Sequence, residues 1–247
     1  MPATAPTALD AIAYCGPAVS PGDFLTRWNF DPILLLALGA LTLWAARVRS
    51  DRPAARQSAL LIGLLAFLYI SPFCAWGSSL FTVRVVHHLA LGLLVAPLVA
   101  ALARRPLGKV PGGIAVWTVL SAVAMWTWHA PNLYHWAVTH DAGYWLMQGT
   151  IAATATLFWH RLDNASRPVA IAALLAAMVA MGALGALITL SQLPLYAAHF
   201  ASTAAWGMAP LDDQQLGGLV MWAPASAVYL VAALARVRHL ATGEAMA

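Results

Sequence analysis

Charge is what this chain has least of. Only 9% of its 247 residues are Asp, Glu, Lys or Arg, where soluble domains carry roughly 25%. Thirteen basic and nine acidic side chains are too few to coat a soluble body of this length. An ordinary water-soluble globule is therefore excluded. Polar low-complexity sequence is lacking too, which excludes a disordered tail protein. Two cysteines are too few for a disulfide scaffold or a four-cysteine zinc site. No apolar core precedes the first arginine, Arg27, so no secretory leader is expected. There is no internal repeat and no room for a second domain.

What is present is apolar. Hydrophobic residues make up 62%, mean hydropathy is +0.75, and there are 11 Trp. That composition describes a membrane-embedded chain with an aromatic belt. Its 17 Gly and 15 Pro are tolerated in membrane spans. A transmembrane helix needs about 20 mostly apolar residues. Segments of that kind run near 31–46, 58–76, 79–103, 114–131, 142–160, 169–191 and 214–235. The expected fold class is all-α, a polytopic membrane helical bundle of seven transmembrane helices forming one domain over 1–247. The longest connection, 192–213, is expected to carry a short surface helix.

Basic residues set the orientation. Arg47, Arg49, Arg52 and Arg56, then Arg104, Arg105 and Lys109, then Arg161 and Arg167, then Arg236 and Arg238 lie on one side: 11 of 13. The positive-inside rule makes that side cytoplasmic. Six of nine acids (Asp10, Asp23, Asp31, Asp141, Asp212 and Asp213) lie on the other. The N-terminal segment 1–30 is then outside and the tail 236–247 inside, as in a multi-pass protein of a bacterial inner membrane. Basic charge so distributed is a topology signal, and no nucleic-acid partner is expected.

Histidine carries the chemical information. Of eight, His87, His88, His129, His135, His140 and His199 fall on the outer half, with only His160 and His239 inside. Ionisable groups at membrane depth are costly and are read as functional. At 1.5 Å per residue, Arg84 lies about 8 Å and His88 about 13 Å below the outer surface. Arg84 and His88 share a helix face, and His87 is turned about 100° away. Imidazole ligates copper, zinc and haem iron. Arg84 cannot ligate metal. It needs a carboxylate, with Asp31, Asp212 or Asp213 as candidates, or an anion. The bland alternative is a polar network that only locks the bundle.

Cys15 and Cys74 both lie on the outer side. A hairpin register places Cys74 level with about residue 81, with His88 about 10 Å deeper. A shared Cys74–His88 metal is therefore disfavoured. Cys15 with Cys74 can form a disulfide, a soft Cu(I) pair, or remain two free thiols. His129, His135 and His140 cluster after the fourth span and can capture metal at the rim. Asp212 or Asp213 can cap the seventh span, and Gly217-Gly218 permits close helix approach.

At these residues the chain resembles the CtaG-like cytochrome c oxidase assembly factors. The carriers are Trp28-Asn29-Phe30-Asp31-Pro32, Ser71-Pro72, Leu80-Phe81 through His88 with Ala96-Pro97-Leu98, Trp128-His129-Ala130-Pro131, Phe158-Trp159, and Asp213-Gln214-Gln215-Leu216-Gly217-Gly218 through Trp222. They span most of the chain. The resemblance implies seven spans, oxidase subunits as partners, and copper handled on the outer, periplasmic side, with a periplasmic copper chaperone as a further partner. No enzymatic activity follows from it. The family commonly has His where Arg84 stands, and often a His pair where this chain has Tyr144 and Gln148. His88, His87, Cys74, Cys15, His129 and His199 are the candidate metal ligands. Three alternatives stand beside copper handling: a metal-free scaffold for a nascent oxidase subunit, a b-type haem protein, and an intramembrane zinc hydrolase using Asp212 or Asp213 with His88 if the last outer loop folds inward.

Overall fold

A computed structural model describes residues 14–48 and 52–241, with side chains for 14–47 and 52–238. Asp10, Arg49 and the His239 side chain, which entered the reading of orientation, lie outside these residues. The described residues contain helices and turns but no strand.

Apolar runs become helices because lipid offers the backbone no hydrogen bonds. The helices are α1 (Pro32–Val48), α2 (Arg52–Tyr69), α3 (Phe73–Ser79), α4 (Phe81–Leu102), α5 (Arg104–Gly108), α6 (Ile114–Trp128), α7 (Pro131–Thr139), α8 (Asp141–Asp163), α9 (Arg167–Leu190) and α10 (Pro210–Arg238). Every apolar segment read from the sequence is helical. Three helices, α4, α9 and α10, are long and apolar enough alone to cross a membrane. A fourth crossing results if α2 and α3, bent by 42° at their junction, act as one span. The expectation of seven crossings goes further than this. Helix α1 has 17 residues and α6 only 15. Helix α8 is long enough but interrupts its apolar run with Gln148, His160 and Arg161.

Helix α4 is the centre, packed by α2, α3, α8 and α10. Helices α9 and α10 lie along each other, and α6 joins α8 to α9. Helix α1 packs only on α2 among the helix pairs with substantial contact, and leaves Leu36 74% exposed. The α9–α10 approach depends on glycine, as the sequence indicated. A Cβ on Gly185 would lie 2.6 Å from the Trp222 amide nitrogen, and one on Gly218 2.7 Å from that of Thr189. Both α4 and α10 widen into a π-helical turn midway, at Leu91–Val95 and Met221–Ala225. The Trp159 indole donates to the Gly92 carbonyl in the first of these turns at 2.8 Å.

The connection between α9 and α10 departs from the expected surface helix. It forms two 3₁₀ turns, Ala197–His199 and Thr203–Trp206, that fold inward. Tyr196, His199 and Thr203 are buried. The reason is polar. Leu195 donates its amide to Gln214 Oε1 at 2.6 Å, Ser202 Oγ to the Ser79 carbonyl at 2.6 Å, and the Trp206 indole to the Val19 carbonyl at 2.9 Å. This plug seals one end of the bundle.

Candidate functional site: a buried polar cluster

The cluster begins with helix termini. The first four amides of a helix have no partner within it. Asp213, from the start of α10, supplies one for α4: its carboxylate accepts the Phe81 amide at 2.7 Å and the Thr82 amide at 3.0 Å. Asp31 does the same for α1, accepting Ile33 and Leu34 amides at 2.7 and 3.0 Å. Asp212 accepts the Ala209 amide at 3.2 Å. Each of the three carboxylates considered for Arg84 is thus engaged with a backbone amide.

Arg84 is therefore without a carboxylate. An ion pair does form at the other end of the bundle, between Arg236 and Asp163. Arg84 is 1% exposed. Its Nη1 donates to the Tyr144 hydroxyl at 3.4 Å, and its guanidinium lies 5.2 Å from the centre of that ring. Gly77 makes room for it, since a Cβ there would lie 3.2 Å from Cζ. Nε and Nη2 have no hydrogen-bond partner. The expected carboxylate is replaced by a phenol and a π face.

Further buried polar atoms lack partners: both ring nitrogens of His87, Nε2 of His88, both amide atoms of Gln148, and Nδ1 of His199. Native interiors leave few such groups. Their concentration on α4, α8 and the plug sets this cluster apart from an ordinary apolar core.

Two histidines meet inside it. His88 Nδ1 lies 3.4 Å from His129 Nε2, with the ring planes at 89°. His129 follows the last residue of α6 and was read as a rim residue. It is 2% exposed because α7 and the plug cover it, and Tyr196 donates its hydroxyl to the His129 carbonyl at 2.9 Å. His129 Nδ1 donates to the Met125 carbonyl at 2.7 Å. That bond fixes the tautomer, so Nε2 presents a lone pair to His88. A metal-ligating imidazole is commonly held through its other nitrogen in this way.

The remaining candidates separate. His199 Nε2 is 2.6 Å from the Tyr134 hydroxyl. His135 and His140 are exposed on and after α7, so the three-histidine rim cluster does not form. Cys15 and Cys74 are disulfide-bonded, with Cα atoms 5.3 Å apart. Of the three pairings left open, the structure takes the disulfide, and no free thiol remains to ligate metal. The bond fastens the segment before α1 over α3, with Cys15 Sγ 3.6 Å from the Tyr144 hydroxyl. The inward loop brings His199 into the cluster, but it does not bring Asp212 or Asp213 to His88. The zinc-hydrolase arrangement is absent. Among the described residues no group of three or more His, Cys, Asp or Glu could hold a metal ion.

Tyr134, Tyr196 and Thr203 complete the cluster. Tyr134 belongs to the stretch that carries the family resemblance, whereas Tyr196 and Thr203 were not singled out from the sequence, because the connection that holds them has no period to read.

The family model described as cytochrome c oxidase caa3 assembly factor matches residues 37–242. The chain belongs to that family. Helices α2 to α10, the His88–His129 pair and the plug all lie within the matched region. Cys15 lies outside it, so the disulfide ties the caa3 assembly-factor region to a segment preceding it. Nothing among the curated proteins or the solved structures matches the chain. Membership implies cytochrome c oxidase as the partner and membrane lipid as the surroundings.

Proposed function

We propose that this caa3 assembly factor takes up one Cu(I) as cargo between His88 and His129 and passes it to an oxidase subunit. The observation carrying the reading is the 3.4 Å approach of two buried imidazole nitrogens. Cu(I) favours soft and imidazole ligands, and two ligands in line can satisfy it. With a metal–nitrogen bond of roughly 2 Å, the nitrogens would sit about 4 Å apart. The pair need open by only about half an ångström. Without metal, His88 Nδ1 donates its proton to His129 Nε2. On uptake the His88 proton resides on Nε2 instead, and both ligands stay neutral.

In this reading the cluster faces the periplasmic side of a bacterial inner membrane. The N-terminal segment is outside, the arginine-rich end is cytoplasmic, and all seven apolar segments cross. The Cys15–Cys74 disulfide supports that orientation, because such bonds persist on the oxidising side. A periplasmic copper chaperone would supply the metal. Transfer is ligand exchange, with no substrate bond broken, so the protein is not an enzyme. The metal-free scaffold is the second reading. The disulfide favours it, since it removes two of the six candidate ligands.

The test is copper content of the purified protein after Cu(I) loading with a non-thiol reductant. Near one copper per chain, lost in both His88→Ala and His129→Ala and kept in Cys15→Ser/Cys74→Ser, is the expected result. Copper lost only with the cysteines would move the site to the thiols. No copper in the wild type would leave the scaffold.

A further inference from the structure

The opposite end of the bundle holds a second polar concavity. An open pocket of about 430 Å³ lies between the end of α4, α5 and the end of α8. Since a water takes about 30 Å³ in the liquid, this is far more than one hydrated ion needs. Arg104, Arg105 and Arg161 line it. Asp163, the one carboxylate in the lining, is paired with Arg236 at 3.1 Å. Neither Arg104 nor Arg105 has a carboxylate partner among the described residues. The Arg161 guanidinium is anchored by a hydrogen bond from Nη2 to the Val110 carbonyl, and its buried Nε has no partner. His160 and Asn164 add neutral polar groups, while Ala100 and Gly108 give an apolar side.

We infer that this pocket binds the headgroup of a net-negative phospholipid of the phosphatidylglycerol class. Three observations converge on it. The pocket sits where the apolar helix α4 ends and the basic loop begins, the level at which headgroups lie. Three guanidinium groups face it and only one, neutralised, carboxylate. A planar guanidinium with a spare N–H suits a phosphodiester oxygen. A zwitterionic headgroup would place its own ammonium among the three arginines, so net negative charge is selected. Anionic lipids are drawn to basic clusters at about 1 kcal/mol per Lys or Arg near the surface. The site is independent of the copper reading, at the other end of the molecule.

The test is lipid retention by the full chain in detergent, measured by native mass spectrometry and by thermal stabilisation. Short-chain phosphatidylglycerol, phosphatidylethanolamine, phosphatidylcholine and inorganic phosphate are titrated separately. The expected result is saturable binding of one phosphatidylglycerol, weakened at least tenfold in Arg104→Gln/Arg105→Gln. Binding is unchanged in Arg52→Gln/Arg56→Gln, which removes equal charge from the same end but outside the pocket. Copper loading is unchanged in both. Equal retention of phosphatidylcholine, equal loss in the two double variants, or phosphate binding as well as the lipid would each overturn the proposal. Folding of each variant is checked by retention of the Cys15–Cys74 bond on non-reducing peptide mapping.

Discussion

The two ends of this bundle treat charge in opposite ways. At the disulfide end Arg84 is fully buried, faces a phenol, and has no acid. The acids there are spent on helix amides instead, with Asp213 on α4 and Asp31 on α1. At the arginine-rich end the cations line an open pocket, and the ion pair Arg236–Asp163 has its carboxylate 54% exposed. The first end is organised by burial and hydrogen bonding, the second by solvation. Buried unpaired charge is expensive and points to function. Solvated charge is inexpensive and mainly sets orientation.

The contrast can be broken most severely at Asp213. Asp213→Ala removes the acceptor of one buried and one part-buried amide, and a bond to a carboxylate is worth about 1.5–3 kcal/mol. A loss of about 3 kcal/mol in unfolding free energy is expected, read from thermal or denaturant unfolding in detergent. Cys15→Ser/Cys74→Ser should cost about 2 kcal/mol, the low end for a native disulfide, because the bonded segments are already held near the membrane. The same unfolding measurement checks it, and protection of the Tyr144 region from hydrogen exchange should fall with it.

Arg84→Met sharpens the comparison by changing sign. Replacing a buried charge with an apolar chain of similar length is neutral or stabilising by about 1 kcal/mol, so the unfolding midpoint should stay or rise. A fall would show that the guanidinium is held by more than Tyr144. Arg236→Ala, at the solvated end, should change stability by less than about 1 kcal/mol and lose even that effect in high salt.

How much of this was legible in the sequence depends on range. Helices follow from local apolar runs, and each of the seven segments is helical. Cys15 and Cys74 were legible as lying on one side, while the choice between a disulfide, a Cu(I) pair and free thiols was open until the fold placed their Cα atoms 5.3 Å apart. The glycines of α10 read correctly because a small residue has one obvious use between packed helices. Asp213 did not. Its place just ahead of the last apolar segment made it a cap for that segment, whereas it sits in the first turn of α10 and caps α4, more than 130 residues earlier. Arg84 was expected to meet a carboxylate or an anion, with a bundle-locking polar network as the alternative, and the phenol of Tyr144 was not foreseen because nothing local to either residue links them. His88 and His129 were assigned different depths. Only the inward fold of the α9–α10 connection, which has no period to read, puts a cover over His129 and makes the two meet.

The π-helical turns in α4 and α10 set a phase relation. One additional residue in a turn rotates everything beyond it by about 100°. Leu91–Val95 lies between Arg84 and His88 on one side and Ala100 on the other. His88 and Ala100 would stand about 120° apart on an unbroken helix, and the wide turn between them reduces this to about 20°, so it brings the face that carries His88 and the face that lines the arginine pocket nearly onto one stripe. A tolerance map along α4 will show two helical rhythms out of step, joined at Gly92. Deleting one residue there would leave both ends chemically intact and turn one against the other, like a key cut correctly and inserted at the wrong angle.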